Sequence, residues 1–316
     1  MRSSTARLPK RPPPPPRPPP DTPSRTRLIV AGRGNLGRSL ARALRAAGHP
    51  VRLASARTGL PQLVRGLTGH AVVFLTVPDS AVAEVAGKLA AGGADIPPAI
   101  AFVHTSGALE LGALAALRTR HPVGSFHPLR SFPQPGPPEA FRKIVVAVDA
   151  STPELLRDLG RLARDLGAQP RRVDDTRRAL YHAAAVFASN YVVALLGEAV
   201  ALLQQTGWTE QEAVQGLTAL AEGAVANVRR RGPIAALTGP IRRGDAETVT
   251  RHLVALAELE RSTGRVAGRR RSDLYRMLGQ VALEIAQQVG LEPAAAGQTR
   301  RALTRKVAAT RRRSRK

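Results

Sequence analysis

The chain has 316 residues, of which only 3% are aromatic, so a core built from it must be aliphatic and helix-rich, and the length suggests about two domains. It contains no Cys, which excludes a disulfide framework and a thiolate metal site. Its net charge of +25 invites a nucleic-acid reading, but residues 1–27 carry +6 and residues 298–316 carry +9, so most of the excess sits at the ends. That distribution reads as a general drift toward Arg, with no specific nucleic-acid partner.

The first segment, "RPPPPPRPPP" at 11–20, is a polyproline run that cannot form a packed core. Residues 1–26 are expected to be a disordered Pro/Arg-rich tail. They lack the apolar core of a signal peptide, which points to a cytoplasmic protein. From Arg27 to Val173 seven short apolar runs alternate with helical stretches: "RLIVA", "PVRLAS", "AVVFLTV", "AIAFVHT", "PVGSF", "KIVVAVD" and "QPRRV". Strands of that length between helices predict a parallel, doubly wound α/β sheet over 27–173.

Strand signals stop at Asp174. Long Ala/Leu helices are expected from near Thr176, Thr209, Asp245 and Arg265, with a weaker one near Pro293. Residues 174–292 read as an all-α substrate or dimerisation domain and 293–316 as a basic tail. "LTGPIRRGD" supplies a turn at Thr238, Gly239 and Pro240, with Asp245 placed to cap the next helix. The stretch between Arg178 and Glu198 is uncharged and close to the length of a membrane span. Five polar side chains interrupt it, so a buried interdomain helix fits better and no membrane partner is expected.

After the first strand, "AGRGNLGRSL" puts Gly32, Gly34 and Gly37 in G-x-G-x-x-G spacing at the opening of an amphipathic helix. Gly32 allows the tight turn, Gly34 lets the backbone approach a pyrophosphate, and Gly37 lets helix and strand pack closely. The first-turn N–H groups, from Asn35, Leu36 and Gly37, would face the phosphates. The second strand ends in Ser55 and Arg57, where an NAD site carries a carboxylate. A hydroxyl and a guanidinium suit a 2′-phosphate, which predicts NADP; the plain alternative is that Arg57 is surface. Val77 and Pro78 of "TVPDS" should border the nicotinamide half, since ligands bind beyond the carboxyl ends of the strands.

Two later strand ends bring polar clusters to the same rim: "VHTSGAL" with Ser106, and "GSFHPLRSF" with His127. Farther on, Arg178, His182, Ala185 and Ser189 follow helical spacing and share one face, with Asn190 one step around. A polar stripe buried without partners would cost roughly several kcal/mol. Either it makes interdomain hydrogen bonds or it faces substrate and nicotinamide. Histidines are scattered with no ligand spacing, so no metal is expected.

"GRGNLG", "TVPDS", "HTSGAL", "GSFHPLRSF", "YHAAAVFASNYVVAL" and "LTGPIRRGDAETVTRHL" together resemble the Rossmann-like family whose helical half is known as domain of unknown function 2520, over roughly 27–290. The resemblance implies a helical C-terminal domain like that of 6-phosphogluconate dehydrogenase, often dimeric. It also implies NAD(P)-dependent oxidoreduction, as in pyrroline-5-carboxylate reductases, ketopantoate reductases and prephenate dehydrogenases. "SFHP" is similar to the segment in which the His of prephenate dehydrogenases contacts the reacting hydroxyl, which points to His127. Proteins of this kind carry Lys where this chain has Arg178, a group that stays protonated and cannot act as acid or base.

The resulting expectation is an NADPH-dependent reductase of a small 2-oxo acid, ketopantoate-like, and a homodimer through its helical domain. Arg178 would hold the carboxylate, Ser106 and Asn190 would orient the carbonyl, and His127 or His182 would give the proton. The alternative is a non-catalytic NADP-binding sensor.

Overall fold

The computed structural model describes residues 26–92, 96–262 and 268–305. The polyproline run and most of the basic end, both expected to be tails, lie outside the described residues. The chain divides after Ser189 into two compact units.

The first unit contains strands β1 (Arg27–Ala31), β2 (Val51–Ala54), β3 (Ala71–Leu75), β4 (Ile100–His104), β5 (Val123–Pro128), β6 (Val145–Ala150) and β7 (Gln169–Arg172). They form one sheet in the order β2-β1-β3-β4-β5-β6-β7. Every expected strand is present. Between them lie α1 (Asn35–Ala46), α2 (Leu60–Arg65), α3 (Asp79–Ala91), α4 (Ala115–Arg118) and α5 (Pro153–Asp165), and α6 (Asp175–Ala188) follows β7.

Helices cover both faces, so residues of the inner strands alternate between two cores rather than between core and water, while β7 at the sheet edge is largely exposed. Leu28, Val30, Val72, Phe74 and Val103 join the α1 and α5 side, while Ile29, Ala31, Val73, Leu75 and Phe102 join the α2 and α3 side. The expectation of a parallel sheet needs one correction: β6 runs antiparallel to β5, all other pairs being parallel. A parallel return needs a crossover helix. Residues 129–144 offer only the 3-10 turn Pro138–Phe141, so the strand comes back beside its predecessor.

The second unit holds α7 (Asn190–Gln204), α8 (Glu210–Ala235), α9 (Pro240–Arg243), α10 (Ala246–Ser262), α11 (Gly268–Gln288) and α12 (Pro293–Thr304). Thr209 and Glu212 form a reciprocal capping box at the start of α8, and Gly232 (φ 77°) before Pro233 breaks that helix near its end. Asp245 accepts the Thr248 N–H at 2.9 Å, the capping role expected of it. Val249, Leu253, Leu283, Ala296 and Leu303 make the core of this unit. Residues 293–304 are therefore a packed helix and not the start of a tail.

Three further expectations change. The helix expected to run without interruption past Asn190 breaks at Ser189 (φ −129°, ψ −76°), whose hydroxyl donates back to the Ala185 carbonyl at 2.7 Å. Residues 174–189 belong with the sheet, not with the helical unit. Nor is the segment buried in the single chain: α7 has no buried residue, and Leu180, Phe187 and Val193 are exposed. By length and apolarity alone Asp175–Gln204 could cross a membrane, but its Arg178 is fully buried against β5.

Candidate active site

The candidate residues gather at the carboxyl ends of β1, β3, β4 and β5. After β1 the chain turns at Gly32, whose φ of 137° only glycine adopts readily. A Cβ there would lie 2.2 Å from the Thr76 carbonyl oxygen, and one on Gly37 would lie 2.1 Å from the Gly32 oxygen. Thr76 pins this crossing, its hydroxyl donating to the carbonyls of Ala31 and Gly32 at 3.2 Å each.

Gly34 differs from its two neighbours in the motif, because a Cβ there would meet nothing within 4 Å. The protein does not need glycine at that point; a closely approaching ligand would. Gly34 is also the N-cap of α1, with no capping side chain and no acidic residue in the first turn. The N–H groups of Asn35, Leu36 and Gly37 therefore stand at a positive helix end that carries neither a capping nor an acidic side chain. The Asn35 side chain is occupied elsewhere: its Nδ2 donates to the carbonyls of Phe132 (3.1 Å) and Pro133 (2.8 Å), tying the loop after β5 to the glycine turn.

Beside this turn, past the end of β2, Arg57 is exposed and makes no ion pair among the described residues. Its N–H donates to Ser55 Oγ at 3.2 Å, so the hydroxyl keeps its own proton for a ligand. Val77 packs on the α3 side of the core, and Pro78 is the exposed N-cap of α3. These residues fit a dinucleotide: an uncapped helix start, a glycine with open space, and an exposed guanidinium beside a hydroxyl.

The second cluster lies on β4, β5 and α6. His127 Nδ1 and the Tyr181 hydroxyl are 2.7 Å apart, their rings nearly perpendicular at 87°. The His182 ring centroid is 6.4 Å from that of His127. Gly107 separates them: a Cβ there would come within 2.8 Å of both His127 Cε1 and His182 Nδ1. His182 Nδ1 is enclosed without a hydrogen-bond partner among the described residues.

Burial pushes the His127 imidazole down to about 4, helped by His182 and the Arg178 cation and opposed by Asp79. His104, fully enclosed at the end of β4, is likewise held at about 4 by burial, then by Arg178 and His127. Burial pushes Tyr181 up to about 12, against the pull of Arg178.

Two expected roles do not match this geometry. Arg178 was expected to present a fork to a substrate carboxylate, yet its side chain is fully buried. Nη2 donates to Ser125 Oγ (2.6 Å) and the Val173 carbonyl (3.0 Å), and Nε lies 3.7 Å from Asp175. Its cation acts on the cluster through its field. Ser106 was expected to orient a carbonyl, yet its hydroxyl donates to Asp79 Oδ2 at 2.7 Å and accepts the N–H groups of Ala108 and Leu109. Its proton is already used, to hold the "TSGAL" turn on α3. Asn190 opens α7 and belongs to the other unit.

Tyr181 stands in the sequence only as one of the polar side chains of its stretch, and Thr76 and Asp79 only as parts of the "TVPDS" loop, with no role of their own. Tyr181 stands three residues after Arg178, which is a same-face spacing. Asp79 follows Pro78 at a helix start, where an acid is ordinarily credited to the dipole.

Residues 144–282 match the family described as Domain of unknown function (DUF2520).

The DUF2520 segment runs from β6 into α11, so it takes in Arg178, Tyr181 and His182 but neither the glycine turn nor His127. Solved structures share the fold at low identity. A Bacteroides fragilis protein described as a candidate NADP oxidoreductase is 23% identical with a TM-score of 0.63, over 82% of this chain and 98% of that one. A Thermotoga maritima protein is 22% identical at 0.62, over 84% and 99%. A Plasmodium falciparum pyrroline carboxylate reductase with NADP bound is 11% identical at 0.50, over 88% and 100%. No curated protein matches the sequence.

Proposed function

We propose that the protein is an NADP-dependent oxidoreductase that reduces a small, ketopantoate-like 2-oxo acid. The observation that carries this reading is the open space at Gly34 beside an uncapped helix start, on the same sheet rim as the His127–Tyr181 pair. The names of the similar structures point the same way, one an NADP oxidoreductase candidate and one a reductase holding NADP.

In this reading the N–H groups of Asn35, Leu36 and Gly37 hold the pyrophosphate, and Ser55 and Arg57 hold the 2′-phosphate. Val77 and Pro78 flank the nicotinamide. Bound reduced nicotinamide supplies the hydride. His127 presents Nε2 to the substrate oxygen, His182 lines the same opening, and Arg178 makes it favourable for an anion. Asp79 and Ser106 fix the turn that contains Gly107.

Fluorescence titration with NADPH and NADH, followed by NADPH oxidation over a panel of 2-oxo acids, tests this. Micromolar NADPH binding with turnover of one acid is expected; no dinucleotide binding would overturn it. A second reading, an NADP-binding sensor, draws support from the enclosed Arg178 and the committed Ser106 hydroxyl. It predicts tight NADPH binding, no turnover on any acid, and no change in affinity on His127→Ala.

The helical unit supports a homodimer. Val192 and Val193 on α7, with Leu220, Val225 and Val228 on α8, are exposed apolar side chains that a second copy would cover. Sedimentation equilibrium should give twice the chain mass, and Val193→Glu with Leu220→Glu should give the monomer.

A further inference from the structure

We propose that Tyr181 is a positioning residue acting through His127: its hydroxyl refills the imidazole at Nδ1 as Nε2 passes a proton to the substrate oxygen. This deepens the oxidoreductase reading above and rests on it.

The geometry leaves little choice of path. The bond between Tyr181 and His127 Nδ1, at 2.7 Å, is the one side-chain hydrogen bond either residue makes among the described residues. With Nδ1 taken, only Nε2 can meet a ligand. The glycine at 107 keeps that edge open, since a Cβ there would stand 2.9 Å from Nε2.

The charge around the ring then requires a relay. The groups facing it are His104 at the end of β4, Asp79 at the start of α3, and Arg178, Tyr181 and His182 on α6. Burial and the neighbouring cation outweigh Asp79, so the imidazole is neutral at pH 7 and carries one proton. A neutral imidazole that gives up its only proton becomes an imidazolate, a state that burial disfavours. It can serve as an acid only if a second proton reaches Nδ1 in the same step, and Tyr181 holds the proton within reach.

The step balances. Reduced nicotinamide held at the glycine turn would supply the hydride for the carbonyl carbon; at His127 the Nε2–H bond breaks and an O–H bond forms on the substrate. The Tyr181 O–H bond breaks, its electron pair staying on the phenolate, and a bond to hydrogen forms at Nδ1. Burial holds Tyr181 up at about 12 even against the pull of Arg178, so the phenolate is short-lived and solvent restores its proton. In the oxidative direction the same protons move the other way.

Tyr181→Phe tests the relay in two ways. In long-range proton–nitrogen NMR of the ligand-free protein between pH 6 and 8, His127 should carry its proton on Nε2, and the variant should show a mixture of tautomers. A wild-type proton on Nδ1 would overturn the proposal. In kinetics the wild-type reduction rate should be flat over pH 6–8. The variant, which must use imidazolium, should be slower by about 100-fold at pH 7 and fall about tenfold per pH unit as pH rises, with NADPH affinity unchanged. An active variant with the wild-type profile overturns the relay alone; absence of NADPH binding overturns the oxidoreductase reading and the relay with it.

Discussion

The Tyr181 hydroxyl and His127 Nδ1 lie 2.7 Å apart although 54 residues separate them in the chain, and the contact joins the first helix after the sheet to the end of β5. Three residues before Tyr181, Arg178 bonds Ser125 on the same strand at 2.6 Å. One helical face is thus fixed to one strand at two points, and one of them is the His127 ring itself.

The glycines of the nucleotide turn should separate by substitution. Gly34→Ala places its methyl in open space, so the melting temperature of the ligand-free protein should not change, while NADPH affinity drops at least about tenfold, or about 1.4 kcal/mol. Gly32→Ala meets the Thr76 carbonyl at 2.2 Å with φ at 137°, so it should lower the melting temperature itself. Thermal shift with and without NADPH reads both. A Gly34→Ala protein that binds NADPH normally would remove the phosphate from this turn.

Arg57→Ala should weaken NADPH by about 10- to 100-fold, the worth of a charge-assisted hydrogen bond of about 1.5–3 kcal/mol, and leave NADH affinity unchanged. Equal losses for both dinucleotides would move the 2′-phosphate away from Arg57.

Gly107→Ala forces a methyl between two imidazole rings, within 2.8 Å of each. Overpacking of this kind costs about 1–3 kcal/mol, and relief by rotation of His127 would break the Tyr181 bond. The variant should keep NADPH binding, lose most of its turnover, and show an altered His127 tautomer. Full activity would place the reacting atoms elsewhere.

His104 and His127 give stability a defined pH dependence. Both fall from the ordinary 6.5 to about 4 in the folded protein, so between those values the unfolded chain binds more protons than the native one. The contribution is present above pH 6.5 and is lost as pH falls toward 4, at most about 3 kcal/mol for each ring. Urea titrations from pH 7.5 to 4 should follow that loss, and His104→Asn with His127→Asn should flatten it. A wild-type stability that is flat over this window would mean that the rings are not held neutral.

The seven strands, the glycine turn and the change from α/β to all-α were legible in the sequence because each is local. The inner parallel strands are continuous apolar runs, and G-x-G-x-x-G spacing is read within six residues even though the close approach at Gly32 is to the distant Thr76. His127 was legible for a similar reason, standing between an apolar strand and Pro128. The antiparallel return of β6, the boundary after Ser189 and the exposure of α7 depend on where distant segments meet, which no local pattern encodes. The tertiary structure alone decided that Arg178 is enclosed, that the Ser106 proton belongs to Asp79 and that Tyr181 faces His127. A side chain's chemistry is set by its type, but what it can still donate or accept is set by the neighbours that have already bonded to it.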